Sequence, residues 1–184
     1  MTIGLYPATV PAFVRMLGNV IALIDKAETQ LDAMGMTEAA LIEARLAPDM
    51  LPFAYQVKSC VVHSLGAIEG VRQGTFSPDM TPPGESFAIL RARARAAIDA
   101  LNAIDASEID GLDGKPMRFV VRAYQVDFTA ESFLLGFSLP NFYFHATTAY
   151  DILRANGAKI GKVDYLGQLP MKPVGFFRQL IKRG

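Results

Sequence analysis

The chain has 184 residues, 51% of them apolar, and its 18 basic and 18 acidic side chains cancel to a formal net charge of zero. That length suits one compact domain, the lone cysteine, Cys60, excludes an intrachain disulfide framework, and the lack of a basic excess disfavours an extended nucleic-acid surface. The N-terminus lacks the basic start and unbroken apolar run of a secretory signal, and no unbroken apolar window reaches the roughly 18 to 20 residues of a membrane helix, so a cytoplasmic protein with no stable membrane association is expected.

Apolar residues from Phe13 to Leu31 recur every three or four positions and predict a first helix over Val10 to about Ala33, stopped by Gly35. Thr37 caps a short helical connector over residues 37–44. Asp49 and Pro52 bracket the start of a second helix, whose face runs through Phe53, Val57, Cys60, Val61, Ser64, Leu65, Ile68 and Val71 and ends near Gly74. Pro78, Pro82 and Pro83 predict a loop over Thr75 to Gly84, since proline fixes φ and withholds an amide donor. Ser86 opens a third helix reaching Ile104. Its Arg91, Arg93 and Arg95 could form a phosphate grip, but a solvated face supplying salt bridges is the expectation.

The rhythm then changes. Residues 117–126 alternate with β-branched and aromatic side chains and predict a strand pair or hairpin. Thr129 and Ser132 are spaced like a capping box, and the last long helix is predicted from Ala130 to Asn156, with a kink near Ser138 caused by Pro140 and a stop at Gly157. A short amphipathic segment, Phe176 to Arg183, is expected to dock on the rest of the protein or on a partner subunit. The fold class is mainly α: a four-helix bundle with a small β-hairpin before the last long helix.

The chemistry of the chain lies in its two histidines, His63 on the second helix and His145 on the last. Asn141 lies one turn before His145 and Thr148 one turn after it, so their oxygens are conceivable if weak metal ligands or partners of a bound water, and with Tyr143 they are candidate pocket residues. Asp151 faces away from His145 and is expected to pair with Arg154. Cys60 shares a face with His63 but reads as a small buried hydrophobe. For either histidine, a core role with ring nitrogens bonded to a nearby hydroxyl, amide or freed carbonyl competes with metal binding; Ser64 and Gln56 lie near His63. The aromatic cluster Phe133, Phe137, Phe142, Tyr143 and Phe144 is either core or the wall of a small-molecule site. Phe142 and Phe144 lie on opposite sides of their helix, which makes a homodimer reasonable. No Gly-rich phosphate loop, Gly-x-Ser-x-Gly elbow or His-Glu-x-x-His motif is present.

The segment Cys60-Val-Val-His-Ser-Leu-Gly66 resembles the V-V-H-x-L segment of the DinB/YfiT-like metalloenzyme superfamily, and His145-Ala-Thr-Thr-Ala149 falls where that superfamily has an H-x-x-x-H pair. The run LPNFYFHATTAYDILRANG over residues 139–157, followed by Ile160-Gly-Lys and Asp164-Tyr-Leu-Gly167, resembles an uncharacterised bacterial branch of it. The resemblance implies a bundle domain over residues 1–167 with 168–184 as an extension, often dimeric. It also implies a divalent metal, such as zinc or nickel, held by three histidines. Some relatives join low-molecular-weight thiols to electrophiles. Here His63 and His145 match two ligand positions, while Ala149 occupies the third and cannot coordinate. The expectation is an uncharacterised DinB-like protein with a degenerate metal site; the alternative is a divalent-metal-dependent enzyme of the thiol-transferase type.

Overall fold

The computed structural model describes residues 3–171. The amphipathic segment expected over residues 176–183 lies outside them. The first helix, α1 (Leu5–Glu28), starts earlier than its periodicity indicates, because Pro7 and Pro11 fall on its N-terminal stretch and are accommodated there. A four-residue turn of helix, α2 (Leu31–Met34), follows, and Gly35 stops it at φ 64°, a left-handed conformation that glycine adopts without steric penalty. Thr37 accepts a hydrogen bond from the Ala40 amide at 3.2 Å and caps α3 (Glu38–Glu43).

The second long rod comprises α4 (Phe53–Val61), a π-helical turn π1 (Val62–Gly66) and α5 (Ala67–Gln73), ending on left-handed Gly74. A two-residue strand, β1 (Thr75–Phe76), follows directly. The segment is therefore not all loop: its first proline is Pro78, so Thr75 and Phe76 are free to pair at a sheet edge, and the loop begins after them. The third rod is α6 (Phe87–Asn102), with Ser86 accepting from the Ile89 amide at 3.2 Å. A short helix that the periodicity did not reveal, α7 (Ala106–Asp110), is capped by Asp105.

The expected hairpin is β2 (Pro116–Val121) with antiparallel β3 (Tyr124–Thr129), turning at Arg122 and Ala123. Because β1 adds in parallel to β2, the element is a three-stranded sheet rather than a hairpin alone. Thr129 and Ser132 cap each other reciprocally: each backbone amide meets the other's hydroxyl, at 2.9 and 3.4 Å. The last rod then runs through π2 (Ser132–Ser138) into α8 (Leu139–Ala155), and Gly157 leaves it at φ 96°. At Ser138, where Pro140 predicts a kink or break, the rod changes from π- to α-helical register, with Pro140 the second residue of α8. Another short helix, α9 (Lys162–Leu166), follows.

The protein is thus mainly helical, with a small sheet. α1 packs on α6 and α8, and α4 packs on α8 and α6. Phe13, Leu17, Ile24, Phe53, Phe87, Leu90, Phe133 and Phe142 are fully buried between the rods. By length and mean hydropathy α1 is the one described helix able to cross a membrane, but half of its most apolar window is buried against the other rods. Arg91 of α6 is committed to Glu28 at 2.6 Å and Asp25 at 3.1 Å on α1, and Arg93 to the carbonyls of Pro82 and Pro83, so these side chains serve packing and loop anchoring. Arg154 donates to the Ile160 carbonyl at 2.5 Å in place of the expected pairing with Asp151.

The sheet meets the second rod at Gly70, where an added Cβ would lie 2.9 Å from the Phe76 Cβ and 3.3 Å from the Met117 Cε. Gly18, on exposed α1 surface, has nothing within 4 Å of such an atom. Alanine is worth up to about 1 kcal/mol over glycine within a helix, so Gly18→Ala should stabilise. Gly70→Ala should destabilise by about 1 kcal/mol or more, because overpacking outweighs propensity there. Urea denaturation of the two variants will show opposite signs if β1 is seated on α5 as described.

Candidate functional site

His63 lies in π1 and His145 one and a half turns into α8, and the packing of α4 on α8 brings them face to face. Their ring centroids are 5.7 Å apart and their planes differ by 18°. π-helical turns insert an extra residue into a helix and recur at functional sites; here one such turn carries His63 and a second ends at Ser138, its hydrogen-bond partner.

Each imidazole is held by its Nδ1. Gln56 donates its amide NH₂ to the Leu51 carbonyl at 2.8 Å, which leaves its Oε1 as the acceptor 2.7 Å from the His145 Nδ1. Ser138 donates its single hydroxyl proton to the His63 carbonyl at 3.1 Å and therefore accepts from the His63 Nδ1 at 3.2 Å. Both rings are thereby fixed as Nδ1–H tautomers, with the lone pair on Nε2. No buried side-chain nitrogen or oxygen among the described residues lacks a partner, so the two Nε2 atoms, which make no hydrogen bond to another described residue, open on accessible space.

Both histidines border a cavity of about 200 Å³. Its walls are Tyr55, Phe76, Phe119 and Phe137, and its polar rim is Lys58, Ser59, Asp79 and Asn141. Phe76 and Phe137 lie 5.7 and 5.8 Å from the His63 ring, so the sheet and π2 supply the aromatic side. Pro78 and Asp79 come from the loop after β1, which is fastened by Lys58. The Lys58 ammonium is only 3% exposed and donates to the carbonyls of Asp79, at 2.7 Å, and Thr81, with the Asp79 carboxylate 3.3 Å away. A buried cation so fully engaged is a structural fastening rather than a free anion site. Larger depressions of about 310 and 530 Å³ lie along α5 and over β2, but neither reaches either histidine.

Of the other residues singled out in the sequence, Asn141 borders the cavity and donates its NH₂ to the Phe137 carbonyl at 2.7 Å. Tyr143 packs edge-on against Phe142, and Thr148 is buried with its hydroxyl donated to the Phe144 carbonyl at 2.8 Å; neither borders the cavity. Cys60 is fully buried, and burial pushes its thiol far above the usual range, so it offers no thiolate. The aromatic cluster divides: Phe133 and Phe142 belong to the core, Phe137 to the cavity, and Phe144 faces outward. Gln56 partners His145 rather than the nearby His63, and Ser138 and Lys58 carried no recognisable signal. Gln56 did carry one, lying seven residues before His63 and so on the same helical face.

A three-histidine metal set does not fit these residues. Ala149 is buried at the third position, and among the described residues no three His, Cys, Asp or Glu side chains converge. What remains is a pair of imidazole donors. Burial, and for His63 also the neighbouring His145, holds both rings at about 4, well below the usual 6.5, so both are neutral at pH 7. With folded values below the unfolded ones, the unfolded chain takes up protons first. The contribution to stability is complete above pH 6.5 and is lost as the pH falls toward 4. In metal-free protein, urea stability should fall by a few kcal/mol across that window, and a His63→Gln variant should show a shallower slope; the C2–H resonances of both rings should titrate near pH 4.

Residues 5–166 match the family described as a domain of unknown function, DUF1993. The chain also resembles the crystal structure of a DinB family member from Shewanella denitrificans, with 28% sequence identity and a TM-score of 0.77 over 92% of this chain and 96% of that one. No curated protein matches it. With 162 consecutive residues matched and a DinB-family fold around the histidine pair, the chain belongs to the DUF1993 family.

Proposed function

We propose that this protein is a DinB-like binding protein whose four helical rods form the bundle of that superfamily and whose histidine pair holds a divalent ion, such as zinc or nickel, in a reduced site. The observation that carries the reading is that Gln56 and Ser138 hold both rings by Nδ1, with each Nε2 bonded to no other described residue, and that both rings border one cavity. Metal-bound histidines are commonly oriented in this way by partners on the other ring nitrogen.

The reading is one of binding. Thiol transfer by this chain would need its thiol from the ligand, since Cys60 is sealed in the core. A homodimer belongs to the same proposal, with Phe144, 55% exposed on the outer side of α8, as part of its contact.

Protein purified without a nickel column and titrated with zinc or nickel should take up about one ion per chain. His63→Ala and His145→Ala should each abolish uptake, and Gln56→Ala should weaken it by about 10- to 100-fold. Uptake below about a tenth of an equivalent, or uptake indifferent to both histidines, overturns the assignment. Light scattering should return a dimer mass that Phe144→Asp reduces to the monomer.

A further inference from the structure

Asn141 is held in the same manner as the two histidines. Its NH₂ is fixed on the Phe137 carbonyl at 2.7 Å, so its Oδ1 is the free end of the amide. That oxygen makes no hydrogen bond to another described residue and is not sealed in the interior, and Asn141 borders the cavity that holds both histidines. Three side chains on one cavity therefore share a design: one polar atom pinned by the protein, and one lone-pair donor left open. Carbonyl oxygens, like imidazole nitrogens, coordinate divalent ions, so such a set needs no third His, Cys, Asp or Glu.

We infer that Asn141 Oδ1 is the third protein donor, completing an N,N,O set with His63 Nε2 and His145 Nε2. This inference rests on the metal reading above and deepens it. The third donor of the superfamily pattern lies four residues after His145, at the position of Ala149; here it is moved to four residues before it, also one turn away along α8 but on the half-buried rim of the cavity. A neutral amide oxygen is a weaker donor than imidazole and adds no charge, so the site binds a borderline divalent ion such as cobalt, nickel or zinc less tightly than three histidines would. The remaining coordination positions face the cavity and are left to water or to a small anionic ligand that offsets the dication.

Cobalt(II) alone, followed by its visible absorption and by calorimetry, tests the set. Asn141→Asp gives up the donation to the Phe137 carbonyl but adds a negative charge, the larger effect toward a dication, and should tighten cobalt binding by about tenfold or more. Asn141→Ala should weaken it by about tenfold or more and change the visible spectrum, while far-UV circular dichroism stays that of the parent. Thr148→Ala, one turn to the other side of His145, should change neither. If cobalt binds the parent chain and depends on both histidines, but both Asn141 variants bind it with the parent's affinity and spectrum, Asn141 is not a ligand and only this inference falls. If cobalt does not bind the parent chain, or binds independently of the histidines, the metal reading falls and this inference with it. Should Asn141→Ala fold poorly, the near-isosteric Asn141→Asp decides alone, and unchanged affinity in it overturns the assignment.

Discussion

The site depends on the seam where α4 and π1 meet π2 and α8. Two imidazoles buried between helices would each leave a ring nitrogen without a partner, at a cost of about 1 to 3 kcal/mol apiece. The seam meets that cost with groups from across it: Gln56 on α4 receives the His145 Nδ1–H, and Ser138 at the end of π2 receives that of His63. Ser138 also returns its proton to the His63 carbonyl, so one hydroxyl ties a side chain and a backbone group of the opposite rod. Slippage of either rod by one residue would break these bonds together. The bonds that orient the rings thus also fix the register in which the helices pack.

The sheet and the proline-bearing loop gain their purpose from the same seam. Phe76 of β1 and Phe119 of β2 stack at 6.1 Å and, with Phe137, form an apolar wall beside His63. Apolar walls make an imidazolium costly, and this is the physical cause of the depressed proton affinity of both rings. The wall therefore keeps the lone pairs available at neutral pH. Lys58 fastens the loop over this wall through two backbone carbonyls as well as the Asp79 carboxylate, so the roof does not hang on one ion pair.

What could be read from the sequence was local, and what could not be read was contact at a distance. Gly35 and Gly74 end helices because a left-handed residue is needed there, and Thr37 and Ser86 start them because a side-chain oxygen meets an orphan amide; both rules act within four residues. The alternation over residues 117–126 likewise gave the β2 and β3 pairing. The parallel addition of β1 joins residues more than forty positions apart and left no trace in a two-residue strand. The π-helical turns at His63 and before Pro140 have no compositional signature, since they arise from accommodating one extra residue under tertiary packing. The two histidines were legible as a pair because they are the only ones in the chain. Which group partners which ring was not, since Gln56, legible beside His63, bonds His145 across 89 positions and Ser138 bonds His63 across 75.

The character of the site follows from where its donors stand relative to the core. Ala149 is 1% exposed and belongs to the same hydrocarbon packing as Ile152 and Leu153, so an imidazole in its place would have to displace core volume. Asn141 stands on a half-buried rim, where a polar side chain carries no such penalty and where Phe137 already engages its amide nitrogen. As the proposed third donor, Asn141 would trade strength for access: an amide oxygen binds a dication more weakly than imidazole, but this one stands on the rim of the cavity. On the proposed reading, a site built from two core imidazoles and a rim amide would take up its ion together with a small ligand rather than hold it permanently.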